Sequence, residues 1–163
     1  MSATELYHLT RRSLVAQIGR EGLRAGPRLF SGGDHTDSEL DRIYGSRPVF
    51  LSSEPWVSGD TWSDIGSASL ATHELALFAV NVTGLRLLAD VMSLIDKGAY
   101  LEEGSLWFEQ RDHPLLSWED DGEISYELVR TDLALGVAAL TWTGTVACLD
   151  PIIPSRLRQI TIK

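Results

Sequence analysis

The sequence predicts an α+β domain whose core is a mostly antiparallel or split β-sheet with helices around it. Three observations predict it. About six segments read as strands and three as helices, alternating without a regular βαβ repeat. The 163 residues suffice for a single domain spanning 1–163, large enough to bury roughly two-thirds of its unfolded surface without staples. The run from Leu75 to Val82 is almost wholly apolar, the pattern of a strand buried on both faces.

Each element has its local reason. Residues 5–10 read as a strand with Leu6, His8 and Thr10 on one face and Tyr7 and Leu9 on the other. Residues 13–21 read as a helix: Leu14, Val15 and Ile18 make its apolar side, Thr10 or Ser13 caps it, and Gly22 stops it. Residues 24–47, rich in Gly, Asp, Ser and Arg, read as a long loop with a helical turn at Ser38–Tyr44. Residues 48–53 form a strand with a polar end, and residues 61–73 a helix that begins at Asp60 or Thr61. Leu85, Leu88, Val91, Met92 and Ile95 recur at helical spacing before Gly98. Residues 105–121 read as an aromatic and acidic connection, and residues 123–131, 138–149 and 157–162 as the last strands.

Composition narrows the function. The formal net charge of −9 repels an extended nucleic acid, so no long nucleic-acid surface is expected. The arginines near Arg11-Arg12 suit a small anionic ligand better than a long polyanion. The one cysteine, Cys148, excludes an intrachain disulfide and a cysteine-based zinc site. The chain lacks a secretory leader pattern and a long apolar span, so no membrane contact and a cytoplasmic location are expected. His8, His35, His73 and His113 lie far apart and form no metal-ligand pair, so no metal is expected. Glycine-rich phosphate loops and a nucleophile elbow are absent.

Two places carry candidate chemistry. His8 and Thr10 share a strand face, and Arg11 and Arg12 follow where a helix begins; such a start favours phosphate. Structural imidazoles on half-buried strands are common, so His8 has both readings. In Glu123-Ile124-Ser125-Tyr126-Glu127-Leu128-Val129, strand alternation sets Ile124, Tyr126 and Leu128 against Ser125 and Glu127. Glu127 is then either part of a solvated face or a carboxylate aimed at a developing positive charge.

Three segments together resemble the ADP-ribosyltransferase superfamily. The first is Tyr7-His8-Leu9-Thr10 with its helix and Gly22-Leu23. The second is Pro48-Val49-Phe50-Leu51-Ser52-Ser53. The third is Ser125-Tyr126-Glu127-Leu128-Val129 with the later Ile153-Pro154-Ser155-Arg156-Leu157. The resemblance implies a split antiparallel β-sheet clamp of ADP-ribosyltransferase type with peripheral helices, binding NAD in its cleft as the substrate. It implies that His8 holds a ribose, that Thr10 and Arg11 or Arg12 lie near ribose and phosphates, and that Ser52 stands beside the nicotinamide. Glu127 would hold the nicotinamide ribose and stabilise the cation as nicotinamide leaves. Tyr44, Trp56 and Trp62 are candidates for stacking on nicotinamide. The implied activity is mono-ADP-ribosyl transfer to an acceptor chosen by residues 24–47 and 99–121. Ser125 stands where arginine-modifying members carry a second acid, which argues against arginine as acceptor. The same opening is similar to that of RNA 2′-phosphotransferases, which use basic side chains in place of the glutamate. A different class is an acidic, tryptophan-rich binding or immunity-type protein, whose protein partner would meet segment 107–121 and its Trp118-Glu119-Asp120-Asp121.

Overall fold

The strand of alternating residues that opens the chain, β1 (Glu5–Arg11), lies in the middle of a six-stranded sheet. The structure, a computed structural model, describes residues 4–26, 35–55, 74–108, 115 and 122–161, the side chains of 35–37 excepted. Its strands are β2 (Val49–Ser52), β3 (Leu75–Asn81), β4 (Leu88–Ala89), β5 (Ala99–Glu102), β6 (Ser105–Phe108), β7 (Glu123–Ser125), β8 (Thr145–Cys148) and β9 (Leu157–Ile160). The large sheet has the order β4-β8-β2-β1-β3-β9, and β5-β6-β7 make a separate three-stranded sheet. Every described strand pair is antiparallel, as the α+β expectation requires.

The helices are α1 (Val15–Glu21), α2 (His35–Tyr44), α3 (Val91–Asp96), α4 (Tyr126–Thr131) and α5 (Leu133–Thr143). Several differ from the expectation, each for a local reason. Residues 123–131 are not one strand. Ser125 accepts from the Leu128 amide and caps α4, and Tyr126 and Val129, three apart, bury on its inner face. Residues 138–149 are not one strand either. Asp132 caps α5, Gly144 ends it at φ +81, and β8 follows. Apolar side chains run all round α5, so it shows no stripe that would distinguish it from a strand. The stripe from Leu85 to Ile95 divides into extended backbone with β4 and the short helix α3, because Asp90 caps at its own position. The turn expected at Ser38–Tyr44 is the ten-residue helix α2, and neither β5 nor β6, which opens the expected connection 105–121, was foreseen. Neither Thr10 nor Ser13 caps α1, which grows out of a 3-10 turn at Arg12–Leu14. The helix expected at 61–73, with Trp56 and Trp62, lies outside the described residues, as does Trp118-Glu119-Asp120-Asp121.

Both faces of the sheet are covered. On one side Val49, Leu51, Val146 and Cys148 pack with Leu6, Phe78, Val80 and with Ile18 of α1. On the other, Ala147 and Phe50 join the cluster beneath α2, α3, α4 and α5. Leu9, Leu75 and Leu77 form a third, smaller cluster with Tyr7 and Ile160. Tyr7 stands opposite Ser52, so alternation puts Leu9 on the same face as Phe50. The second and third clusters therefore cover one face without merging, and the ground between them is the seam of β1 and β2.

Candidate functional site

The two edges of β1 are built differently. Against β3 it pairs at seven positions, from Glu5 opposite Asn81 to Arg11 opposite Leu75. Against β2 it pairs at one position, Tyr7 opposite Ser52. Continued in that register, Arg11 would face Pro48, which has no N–H to donate. The Phe50 carbonyl is held instead by a side chain: His8 Nδ1 lies 2.9 Å from it. A carbonyl can only accept, so Nδ1 carries the proton. Burial lowers the imidazole below its usual 6.5, while the bond to Phe50 opposes. The ring is therefore neutral at pH 7, and Nε2 is an acceptor.

Where the strands part, a hollow of about 250 Å³ opens. Its walls include Tyr7, His8, Leu9, Thr10 and Arg11 from β1, Arg47, Pro48, Phe50 and Ser52 from the β2 side, and Thr145 from β8. A second hollow of about 580 Å³ runs towards α1 and shares His8, Thr10, Leu14, Arg47 and Pro48 with the first. Gln17, Glu21 and Arg24 border the second. Together they make a cleft in the size range of small-molecule sites, its walls mixing apolar side chains with polar and charged ones. Thr10 is buried, and the Ser52 hydroxyl donates to the Glu54 carbonyl at 3.0 Å. The first hollow is lined by arginine and histidine and, among the described residues, by no carboxylate.

The structure thus gathers four of the sequence-predicted residues, His8, Thr10, Arg11 and Ser52, on one seam. It does not bring the other three there. Arg12 is exposed on the 3-10 turn and is absent from the walls of both hollows. Tyr44 is a core residue: its hydroxyl donates to the Ala89 carbonyl at 2.6 Å and accepts from the Val91 amide at 3.0 Å. Its ring has no free face for a ligand. Burial and the nearby Asp90 push its phenol well above the usual 10. Glu127 sits exposed in the first turn of α4, which packs on α2, β4 and β7. In the sheet order β4 is three places from β1, so the expected meeting of His8 and Glu127 does not occur in either described hollow. The physical reason is the Ser125 cap, which turns the expected strand into a helix before Glu127 is reached.

Sequence reasoning missed Arg47 and Thr145. Arg47 precedes Pro48, so the proline that ends the ladder was the available signal. Thr145 was hidden inside a segment taken as continuous strand; Gly144 was the signal there. Trp107, part of the expected partner segment, donates from Nε1 to the Glu102 carbonyl at 2.9 Å and so ties its own hairpin.

Among the described residues no group of three His, Cys, Asp or Glu is placed to hold a metal ion, and no helix is long and apolar enough to cross a membrane. No protein-family model, curated protein or solved structure matches this chain.

Proposed function

We propose that the seam between β1 and β2 is an NAD site and that the chain transfers ADP-ribose from NAD to an acceptor, releasing nicotinamide. The observation that carries this reading is the convergence of His8, Thr10, Arg11 and Ser52 on the one place where the sheet opens. The strand edges that part beyond the Tyr7–Ser52 pair suit a carboxamide, which offers an N–H donor group and a carbonyl acceptor. The neutral His8 ring, its tautomer fixed by Phe50, offers Nε2 to a ribose hydroxyl. Arg11 and Arg47 supply guanidinium groups for a pyrophosphate. Glu127 has no part in this scheme.

The test is to incubate the full chain with NAD labelled in the nicotinamide ring and to measure free nicotinamide. The expected result is release by the wild type and loss of both release and NAD binding in His8→Ala. Wild-type protein that neither binds nor consumes NAD would overturn the reading. The arginine-lined, carboxylate-free hollow favours one second reading, an enzyme similar to RNA 2′-phosphotransferases, in which basic side chains replace the glutamate. NAD consumption that requires a 2′-phosphorylated RNA would select it.

A further inference from the structure

Behind the cleft wall lies a carboxylate that the scheme above does not use. Asp90 is 3% exposed. Among the described residues no lysine or arginine pairs with it. It caps α3, its Oδ1 accepting from the Ser93 amide at 3.3 Å. An asparagine would cap as well without a charge to desolvate, so the cap alone does not explain an acid here. Its other oxygen ends a chain of hydroxyls that reaches the cleft. Thr145 Oγ1 donates to Ser93 Oγ at 2.7 Å, and Ser93 Oγ donates to Asp90 Oδ2 at 2.8 Å. Thr145 stands in the wall of the first hollow. A carboxylate only accepts, so both protons of the chain point to Asp90; the Thr145 oxygen also has the Thr143 hydroxyl at 3.2 Å, and with two lone pairs it keeps one for another molecule.

We propose that Asp90, acting through Ser93, makes Thr145 the proton acceptor of the cleft, and that the ADP-ribosyl acceptor is a hydroxyl group, which must lose a proton as it is modified. The inference rests on reading the cleft as an ADP-ribosyltransferase site. The step balances. The acceptor oxygen bonds to C1 of the nicotinamide ribose, and the C–N bond breaks with its electron pair going to nicotinamide, which leaves neutral. The acceptor proton passes to Thr145 Oγ1 as the Thr145 proton moves to Ser93 and the Ser93 proton to Asp90. Thr145 is the group that touches the acceptor; Ser93 and Asp90 are positioning residues. Burial favours this direction of transfer by raising the carboxyl above its ordinary 3.8, against the opposing hydrogen bonds donated by Ser93. The titratable group facing Asp90 from α2 is Tyr44, which stays neutral, and β8 contributes the hydroxyl of Thr145.

The test compares two nucleophiles on the full chain with NAD: methanol, which must lose a proton, and azide, which has none to lose. Asp90→Asn keeps the cap and the volume. Asp90→Asn is expected to slow formation of methyl ADP-ribose by about 10²-fold while azide transfer stays within about twofold of wild type. The acid limb of the methanol reaction should disappear in the same variant. Ser93→Ala should repeat the pattern, so one poorly folded variant does not decide the matter. Equal loss with both nucleophiles, or loss with neither, overturns the relay and leaves the NAD site standing. Wild type that binds NAD but transfers to neither nucleophile overturns the relay alone, and wild type that neither binds nor consumes NAD overturns the NAD reading and the relay with it.

Discussion

The β1–β3 seam and the β1–β2 seam share a strand and differ in what they do with it. On the β3 side seven register pairs and the buried Leu9, Leu75 and Leu77 leave no room between the strands. On the β2 side one pair, a proline and an imidazole in place of ladder bonds leave a hollow. The same seven residues thus hold the sheet together along one edge and expose polar groups along the other. The difference teaches that a binding cleft here is an interrupted sheet, and that the interruption is encoded by Pro48 and His8 rather than by a loop.

That contrast can be broken from either side. Leu77→Ala, on the closed seam, empties a site that is 3% exposed. It should cost about 2–5 kcal/mol in urea unfolding, with NAD affinity of the folded fraction unchanged. Gly22→Ala should come next. Gly22 lies at φ +77, and a Cβ there would clash with the Ile152 carbonyl oxygen, across the bridge that Leu23 makes with Ile152. A loss of about 1–3 kcal/mol is expected by the same measurement. Arg11→Gln, on the open seam, should reverse the pattern. Stability should stay within about 0.5 kcal/mol of wild type, while NAD affinity measured by calorimetry falls roughly tenfold, the loss of one charge-assisted contact.

The smallest effect is a pH dependence. Burial holds the His8 imidazole below 6.5 in the folded chain, with the Phe50 carbonyl opposing. As pH falls below 6.5 the unfolded chain therefore binds more protons than the folded one, and folding weakens. The contribution is whole above 6.5 and is lost as pH drops through the lowered folded value. Urea midpoints measured on either side of 6.5 should diverge in the wild type and converge in His8→Gln. An unchanged slope in the variant would show that His8 is not the group responsible.

Much of the sheet was legible because period-2 patterns survive in strands with one clear face. β1 lies within a residue of its expected bounds for this reason, and β3 does so because its unbroken apolar run is buried on both faces. The helices were harder. α5 is apolar all round, so nothing in its pattern separates it from a buried strand, and only its caps, Asp132 and Gly144, mark its ends. At α4, Ile124, Tyr126 and Leu128 alternate like a strand, whereas Tyr126 and Val129 pack like a helix; the Ser125 cap decides between them. That one capping bond is what separates Glu127 from the cleft. Parity sets His8 and Thr10 on one face of the sheet and Arg11 and Ser52 on the other, so only the gap between β1 and β2, which no pattern announces, brings the four to one hollow. Thr145 and Asp90 were invisible for a similar reason: their connection through Ser93 spans separations of 52 and 3 residues and exists only in the folded chain.

The most direct measurement follows backbone amide resonances while NAD is added to the full chain. The account predicts that shifts concentrate in residues 8–11 and 47–52 and at Thr145, with the β3 partners 75–81 little changed. Shifts centred on α4 around Glu127, or no shifts at all, would contradict it.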